Sequence, residues 1–187
     1  MTENRQQKIR TLEALLVLDA KAGDRQAIEW LVTLRGDRLL AHAARLSGDR
    51  EAAQDVVQEA WIQIIRGLPS LANEAAFLPW ALCIVSRRVA AFIKARQKDR
   101  KISISLGPET QEAVHPSPEK ALDVEKVRAA LHHLPSAQHA TIALFYLEDL
   151  GVADVAKAMD VPAGTVKTRL MKARSTLRKL LEGEQDG

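Results

Sequence analysis

The sequence predicts an all-α protein: two small helical domains joined by a flexible, proline-containing linker, the second domain with a helix-turn-helix. Three observations carry that reading. Ala, Leu, Glu, Arg and Lys are plentiful, while Gly (9) and Pro (7) are few and clustered, a composition that favours helices over strands. Apolar residues recur at helical spacing, most clearly Val152, Val155, Ala156 and Met159 at i, i+3, i+4 and i+7. Between the helical stretches, "KISISLGPETQEAVHPSPEK" (Lys101 to Lys120) carries three prolines and a glycine with no helical period, which reads as a linker. The expected domains are therefore 1–100 and 121–187, with 101–120 between them.

The elements follow in order. Four amphipathic stretches, roughly Arg10–Ala22, Asp24–Leu46, Asp49–Leu68 and Glu74–Gln97, are broken at "AGDR", "LSGD" and "GLPSLAN". Asp24 and Asp49 stand where an N-cap would accept orphan backbone N–H groups. After the linker come Leu122–Leu134, Ser136–Asp149, Val152–Met159 and Ala163–Leu181. No internal repeat is visible, and only the short "ISISL" alternates like a strand.

Composition bounds the function. A chain of 187 residues that is 47% apolar can bury a sizeable core or two small ones. No apolar run is expected to reach the ~18–20 residues that span a bilayer, and "MTENRQQKIR" lacks the apolar region of a secretory signal. A single cysteine, Cys83, excludes an internal disulfide and a Cys-rich zinc site. These bounds point to a cytoplasmic protein that does not insert into membranes. There is no GxxxxGK, GxSxG or HExxH pattern, so neither an enzyme, a cofactor nor a small-molecule substrate is expected. His132, His133 and His139 fall near a helix turn without Cys or carboxylate partners, and read as surface residues rather than metal ligands.

Two segments are strongly basic on one side. Between Ala163 and Leu181 lie six Lys or Arg and no acid. Val166, Leu170, Ala173, Leu177 and Leu180 form a buried stripe, and Thr168, Met171, Lys172, Ser175 and Lys179 face away from it. A short non-basic helix, the turn "DVPA" and this long basic helix make a helix-turn-helix, with the second helix entering a major groove. Phosphates require its Lys and Arg, Lys172 included. Base edges require short polar and forked side chains near its start, here Thr165, Lys167, Thr168 and Arg169. The second basic segment, Phe77 to Lys101, buries Leu78, Leu82, Val85, Val89 and Ile93. Its other face mixes Trp80 and Ile84 with Arg87, Arg88, Ala91, Lys94 and Lys98, a composition that grips single-stranded nucleic acid through phosphate contacts and stacking on Trp80, although a lone Trp also fits a core.

The helix before it is different in kind. Ala53, Val56, Val57, Ala60, Trp61 and Ile64 make its buried stripe, and Glu51, Asp55, Glu59, Ile62 and Arg66 point away. An acidic face with an exposed isoleucine suits a basic protein partner, and equally an ordinary solvated surface.

The motifs "GDREAAQDVVQEAWIQIIRGLPSL", "FLPWALCIVSRR" and "LPSAQHATIALFYLEDLGVADVAKAMDVPAGTVKTRLMKARSTLRKLL" together resemble a bacterial RNA polymerase sigma factor of the extracytoplasmic-function (ECF) group, from about Leu15 to Leu181. The resemblance implies that Asp55, Gln58 and Glu59, with Ile62 beside them, dock on the clamp coiled coil of core RNA polymerase. It implies that the loop "LPSLANEAAF" captures a flipped base of the minus-ten promoter element, with Asn73 at the pocket and Leu71 and Phe77 supporting it. The helix after Trp80 would hold the separated strands, through Arg87, Lys94 and Lys98, and the C-terminal helix-turn-helix would read the minus-thirty-five element. Arg87 and Ala91 stand where the family usually has Asn and Asp. Asp154 stands for the family's usual Glu. The implied partners are core RNA polymerase and promoter DNA, with a cognate anti-sigma factor left open as a third. The rival readings are a sigma-like decoy that sequesters an anti-sigma factor without binding DNA, and a plain helix-turn-helix regulator.

Overall fold

The computed structural model describes residues 2–104 and 118–182. Among the described residues eight α-helices follow one another: α1 (Thr2–Lys21), α2 (Arg25–Ser47), α3 (Arg50–Gly67), α4 (Phe77–Ile104), α5 (Pro118–His132), α6 (Ser136–Ile142), α7 (Val152–Met159) and α8 (Ala163–Glu182). Among the described residues there is no strand.

The boundaries trace to local chemistry. Asp24 accepts from Gln26 N at 2.8 Å to start α2, and Asp49 accepts from Glu51 N and Ala52 N to start α3. Each satisfies donors that have no partner within the helix. Gly48 ends α2 in the left-handed conformation (φ 76°) and returns its N–H to Ala44 O. Asp160 takes the same left-handed role after α7, at φ 53°, turning the chain toward Pro162 and α8. Both helix-turn-helix elements start and stop within a residue of expectation.

Four helices differ in their bounds from the sequence reading. α1 begins at Thr2 rather than near Arg10, because nothing in "TENRQQKI" breaks a helix. α4 begins at Phe77, after a single 3-10 turn over Glu74–Ala76, and runs through Ile104 into the segment assigned to the linker. α5 begins at Pro118, where a first-turn proline costs no hydrogen bond. The rest of the expected linker, 105–117, including the end of "ISISL", lies outside the described residues. The stretch read as one helix from Ser136 to Asp149 ends its α-helix at Ile142. A wider π turn over Ala143–Leu147 follows, and Asp149 then adopts φ 52°.

α2, α3 and α4 pack on one another, with α1 along α2 and a bend at 71–76 closing the end. α4 is the central element. The span Glu74–Asp99, the 3-10 turn together with most of α4, is long and apolar enough by composition to cross a membrane, contrary to the expectation that no run would be. Half of its apolar stretch is buried inside the bundle, and that burial is the reason for its composition. Its Leu82, Val85, Val89 and Ile93 are buried as expected, while Leu78, in the first turn, is half-buried at the rim of the core.

α6, α7 and α8 form the helix-turn-helix around Val155, Met159, Val166, Leu170 and Ala173, with α5 lying on α8. The two units do not stand apart. α6 and α7 pack on α4, and one continuous apolar core runs through both units.

Candidate nucleic-acid interface

The recognition helix α8 presents the side chains its sequence pattern required. Lys167, Thr168, Met171, Lys172, Ser175 and Lys179 lie on the face opposite the buried Val166, Leu170 and Ala173, and Lys167, Thr168, Met171 and Lys172 are exposed there. Thr165 and Arg169 are half-buried at the edge between the two faces. Thr168 donates its hydroxyl to Gly164 O at 3.0 Å, which leaves its lone pairs and its methyl group for base edges. The N-terminal half of α8 borders an open cleft of about 600 Å³, walled on the far side by Pro135, Ala137 and Gln138 at the start of α6. Thr165, Thr168, Arg169 and Lys172 share that cleft. Arg169 and Lys172, with two hydroxyls, therefore line one opening near the start of α8, an arrangement whose charge complements phosphate. Arg169 leans inward, with Nη1 4.0 Å from Met159 Sδ.

Arg174, one of the six basic residues of α8, is exposed yet engaged by side chains of its own chain. Its guanidinium lies over the rings of Phe145 and Tyr146 at 5.9 and 5.5 Å, and its Nε donates to Tyr146 Oη at 2.8 Å. It ties the recognition helix to the π turn.

In the N-terminal unit, Asn73 is exposed at the bend and caps the 3-10 turn, accepting from Ala75 N at 3.0 Å. Its amide nitrogen stays available to a base. Leu71 and Phe77 lie beneath it and are buried, Phe77 completely, so they hold the bend from inside and present no surface of their own. The sequence reading missed Lys21. Its ammonium donates to Leu71 O at 2.9 Å and to Glu74 Oε1 at 2.7 Å, so it grips both ends of the segment that displays Asn73. The Lys21 ammonium holds the Glu74 carboxyl below its ordinary pKa.

Trp80 is half-buried, with its ring packed against Gly67 and tilted on Phe77 at 6.2 Å. A Cβ at position 67 would meet that ring at 3.0 Å. One face of the indole is therefore committed to packing. Arg87, Ala91, Lys94 and Lys98 are exposed along the same helix.

On α3, Asp55, Glu59 and Ile62 were expected to face away from the core, and the family resemblance added Gln58 to them. Gln58, Glu59 and Ile62 are exposed, Ile62 at 51%, and Asp55 lies on the same outer side. Glu59 pairs with Arg88 of α4, so part of its charge is answered within the chain. Ile65 is exposed beside Ile62, which widens the apolar part of this acidic face.

Of the three histidines read from the sequence as surface residues, His133 is exposed as expected, while His139 and His132 depart from expectation. His139 is buried to 1% with neither ring nitrogen hydrogen-bonded. Burial, followed by the charges of His132, His42 and Lys94, depresses its pKa to about 4. His132 is half-buried, and Nε2 lies 3.1 Å from Leu46 O. The cause is the packing of α6 on α4, which a reading of each unit alone does not contain. Among the described residues, no group of three or more His, Cys, Asp or Glu is placed to hold a metal ion.

Comparison with known proteins matches both units. Residues 31–99 match the family model for Sigma-70 region 2, and residues 125–177 match that for Sigma-70, region 4. The ECF RNA polymerase sigma factor SigM of Mycobacterium tuberculosis H37Rv is 33% identical over 90% of this chain and 84% of its own. The RNA polymerase sigma-H factor of Pseudomonas aeruginosa is 29% identical over 89% of this chain and 92% of its own. Among solved structures, the sigma factor RpoE in complex with the anti-sigma factor NepR from Bartonella quintana is 26% identical. It covers 82% of this chain and 96% of its own, with a TM-score of 0.54. CnrH, solved with the cytosolic domain of CnrY, shares the fold over 92% of this chain and 98% of its own (TM-score 0.61, 19% identity).

Proposed function

From the premise that the chain belongs to the extracytoplasmic-function group of RNA polymerase sigma factors, we propose that it binds core RNA polymerase and directs it to promoters. The observation that carries this is the pairing of two opposite surfaces on one chain. α8 turns a face of Lys167, Thr168 and Lys172 to solvent, and α3 turns out Gln58, Glu59 and Ile62. A plain duplex-binding regulator has no task for the second surface.

In this reading the N-terminal unit, residues 1–100, docks on polymerase through Asp55, Gln58, Glu59 and Ile62. Asn73, braced by Lys21 and supported by Leu71 and Phe77, receives a flipped base of the minus-ten element. The exposed part of Trp80, with Arg87, Lys94 and Lys98, holds the unpaired strands. The C-terminal unit, 121–187, reads the minus-thirty-five element with Thr165, Lys167, Thr168, Arg169 and Lys172. Unstacking a base costs a few kcal/mol. Several phosphate contacts and a base held at Asn73 offset that without nucleotide hydrolysis, so the chain acts by binding and carries out no catalysis of its own. The solved relative bound to an anti-sigma factor supports a cognate inhibitor of the same kind here.

Run-off transcription from a fragmented genomic library, with core polymerase and with or without this protein, tests the reading. New start sites sharing two spaced upstream motifs are expected. Silence with core binding intact would place a melting defect at Arg87 and Ala91. Silence without core binding would sink the assignment and leave a decoy.

A further inference from the structure

The interface between the two units is built around one carboxylate. Glu148 sits at the corner after the π turn of the C-terminal unit, with its side chain only 3% exposed. It is seated in a basic stripe on α2. Arg38 donates to Oε2 from Nη2 at 3.1 Å and from Nε at 3.3 Å, His42 Nδ1 lies 2.7 Å from Oε1, and Arg45 pairs with Oε1. His42 is fully buried and its other nitrogen lies 2.8 Å from Ser86 Oγ on α4. The stripe residues stand at i, i+4 and i+7 on one face of α2, more than 100 positions before their partner. Asp149, immediately after Glu148, is held at φ 52°, a conformation that costs free energy and persists where surrounding contacts over-determine it.

A second set of contacts closes the same seam. Arg128 Nε donates to Arg45 O at 3.4 Å, and His132 Nε2 lies 3.1 Å from Leu46 O. These carbonyls are in the last turn of α2, where orphan acceptors favour donors and positive charge. Side chains of α5 thus complete the C-terminus of a helix in the other unit.

This closed arrangement conflicts with reading two promoter elements at once. Elements centred near minus ten and minus thirty-five lie about 25 base pairs apart, or about 85 Å at ~3.4 Å per pair. A compact chain of 187 residues has a radius of gyration of about 16 Å, hence a body about 40 Å across. Even α4, the longest helix, extends only about 42 Å.

Building on the sigma-factor reading, we infer that this structure is a self-latched resting form, in which Glu148, seated among Arg38, His42 and Arg45, keeps the two units closed until polymerase and DNA separate them. The ligands must then prefer the open form by more than the latch stabilises the closed one. Their apparent affinity falls by the fraction of chain that is open.

The test reads closure directly. Spin labels at exposed positions 54 and 175, introduced as Gln54→Cys and Ser175→Cys in a Cys83→Ala full-length background, report the distance between α3 and α8 without polymerase. The unaltered latch should give one narrow, short distance. Glu148→Gln, which keeps the shape but removes the charge, should raise the long-distance population roughly 10- to 100-fold. The double variant Arg38→Ala/Arg45→Ala, which leaves the C-terminal unit untouched, should do the same with helicity retained by circular dichroism. A broad distribution before any latch substitution, or an unchanged narrow one in both variants, overturns the latch. Promoter-directed initiation at limiting protein should rise in the variants. If the distances open and initiation does not rise, the resting role is refuted while the sigma-factor reading survives. If no form supports initiation, that reading falls, and the resting role with it.

Discussion

Replacing His139 with leucine isolates the energetics of the seam. The ring is buried with both nitrogens unpartnered, and its pKa lies at about 4, against 6.5 when exposed. The folded ring therefore refuses a proton that the exposed ring accepts. Stability from this group is fully present above pH 6.5 and drains away as pH falls toward 4. Between those two values each tenfold rise in proton activity costs the folded state about 1.4 kcal/mol. Acidification from pH 7 to pH 5 therefore costs about 2 kcal/mol through His139. His132, depressed by burial despite its bond to Leu46 O, adds a loss of the same sign in both proteins. After burial, the charges of His132, His42 and Lys94 push the ring's pKa in the same direction. Urea unfolding of the full chain, followed by tryptophan fluorescence at pH 7 and pH 5, measures the difference. The His139→Leu variant should be flatter by about 2 kcal/mol, and more stable at pH 7 by about 1–3 kcal/mol because no unpaired polar atom is buried. Parallel losses in both proteins would refute the argument, since the ring would then be hydrated or hydrogen-bonded in the fold.

Other expectations concern the proposed interfaces. Arg169→Ala should weaken promoter binding by roughly 1–3 kcal/mol and relax specificity at one base position, as read by binding to a panel of single-base variants; uniform weakening would make it a phosphate contact only. Asp55→Ala should weaken association with core polymerase in a pull-down titration while the melting temperature stays unchanged, and unaltered association would remove Asp55 from that interface. Lys21→Met should impair opening of a promoter far more than opening of the same promoter carrying a pre-melted bubble, because it loosens the bend that displays Asn73; equal effects on both templates would count against the brace. Asp49→Ala should destabilise the protein by about 1 kcal/mol by leaving two α3 donors uncapped. Backbone bonds from Ala52 and Glu51, with Arg96 nearby, keep the Asp49 carboxyl below its ordinary pKa, so this deficit should vanish as pH falls through the carboxylate range.

Much of this architecture was legible because it is local. Asp24 and Asp49 cap because of their own backbone neighbours, and the faces of α3, α4 and α8 follow from helical period alone. The exposed sides of Lys167, Thr168 and Lys172 needed nothing beyond that period. What escaped depends on partners far along the chain. His139 carries no local sign of burial, because α4 covers it. Lys21 looks like an ordinary helix-end cation until its ammonium meets Leu71 O, fifty positions away. Arg38, His42 and Arg45 form a readable basic stripe, but no pattern in the sequence couples that stripe to Glu148. The π turn after Ile142 was missed because its residues continue the apolar period of α6.

The double use of α4 limits how freely the two halves of such a chain can be traded. One side of this helix completes the bundle with α2 and α3, while α6 and α7 rest on another. A chimera that takes its C-terminal half from a relative inherits a new acid, or none, opposite Arg38, His42 and Arg45. Promoter preference would then change together with the ease of opening, and a swapped protein active at lower concentration need not owe that gain to better DNA contacts. Transplanting the three α2 residues along with the C-terminal half separates the two effects.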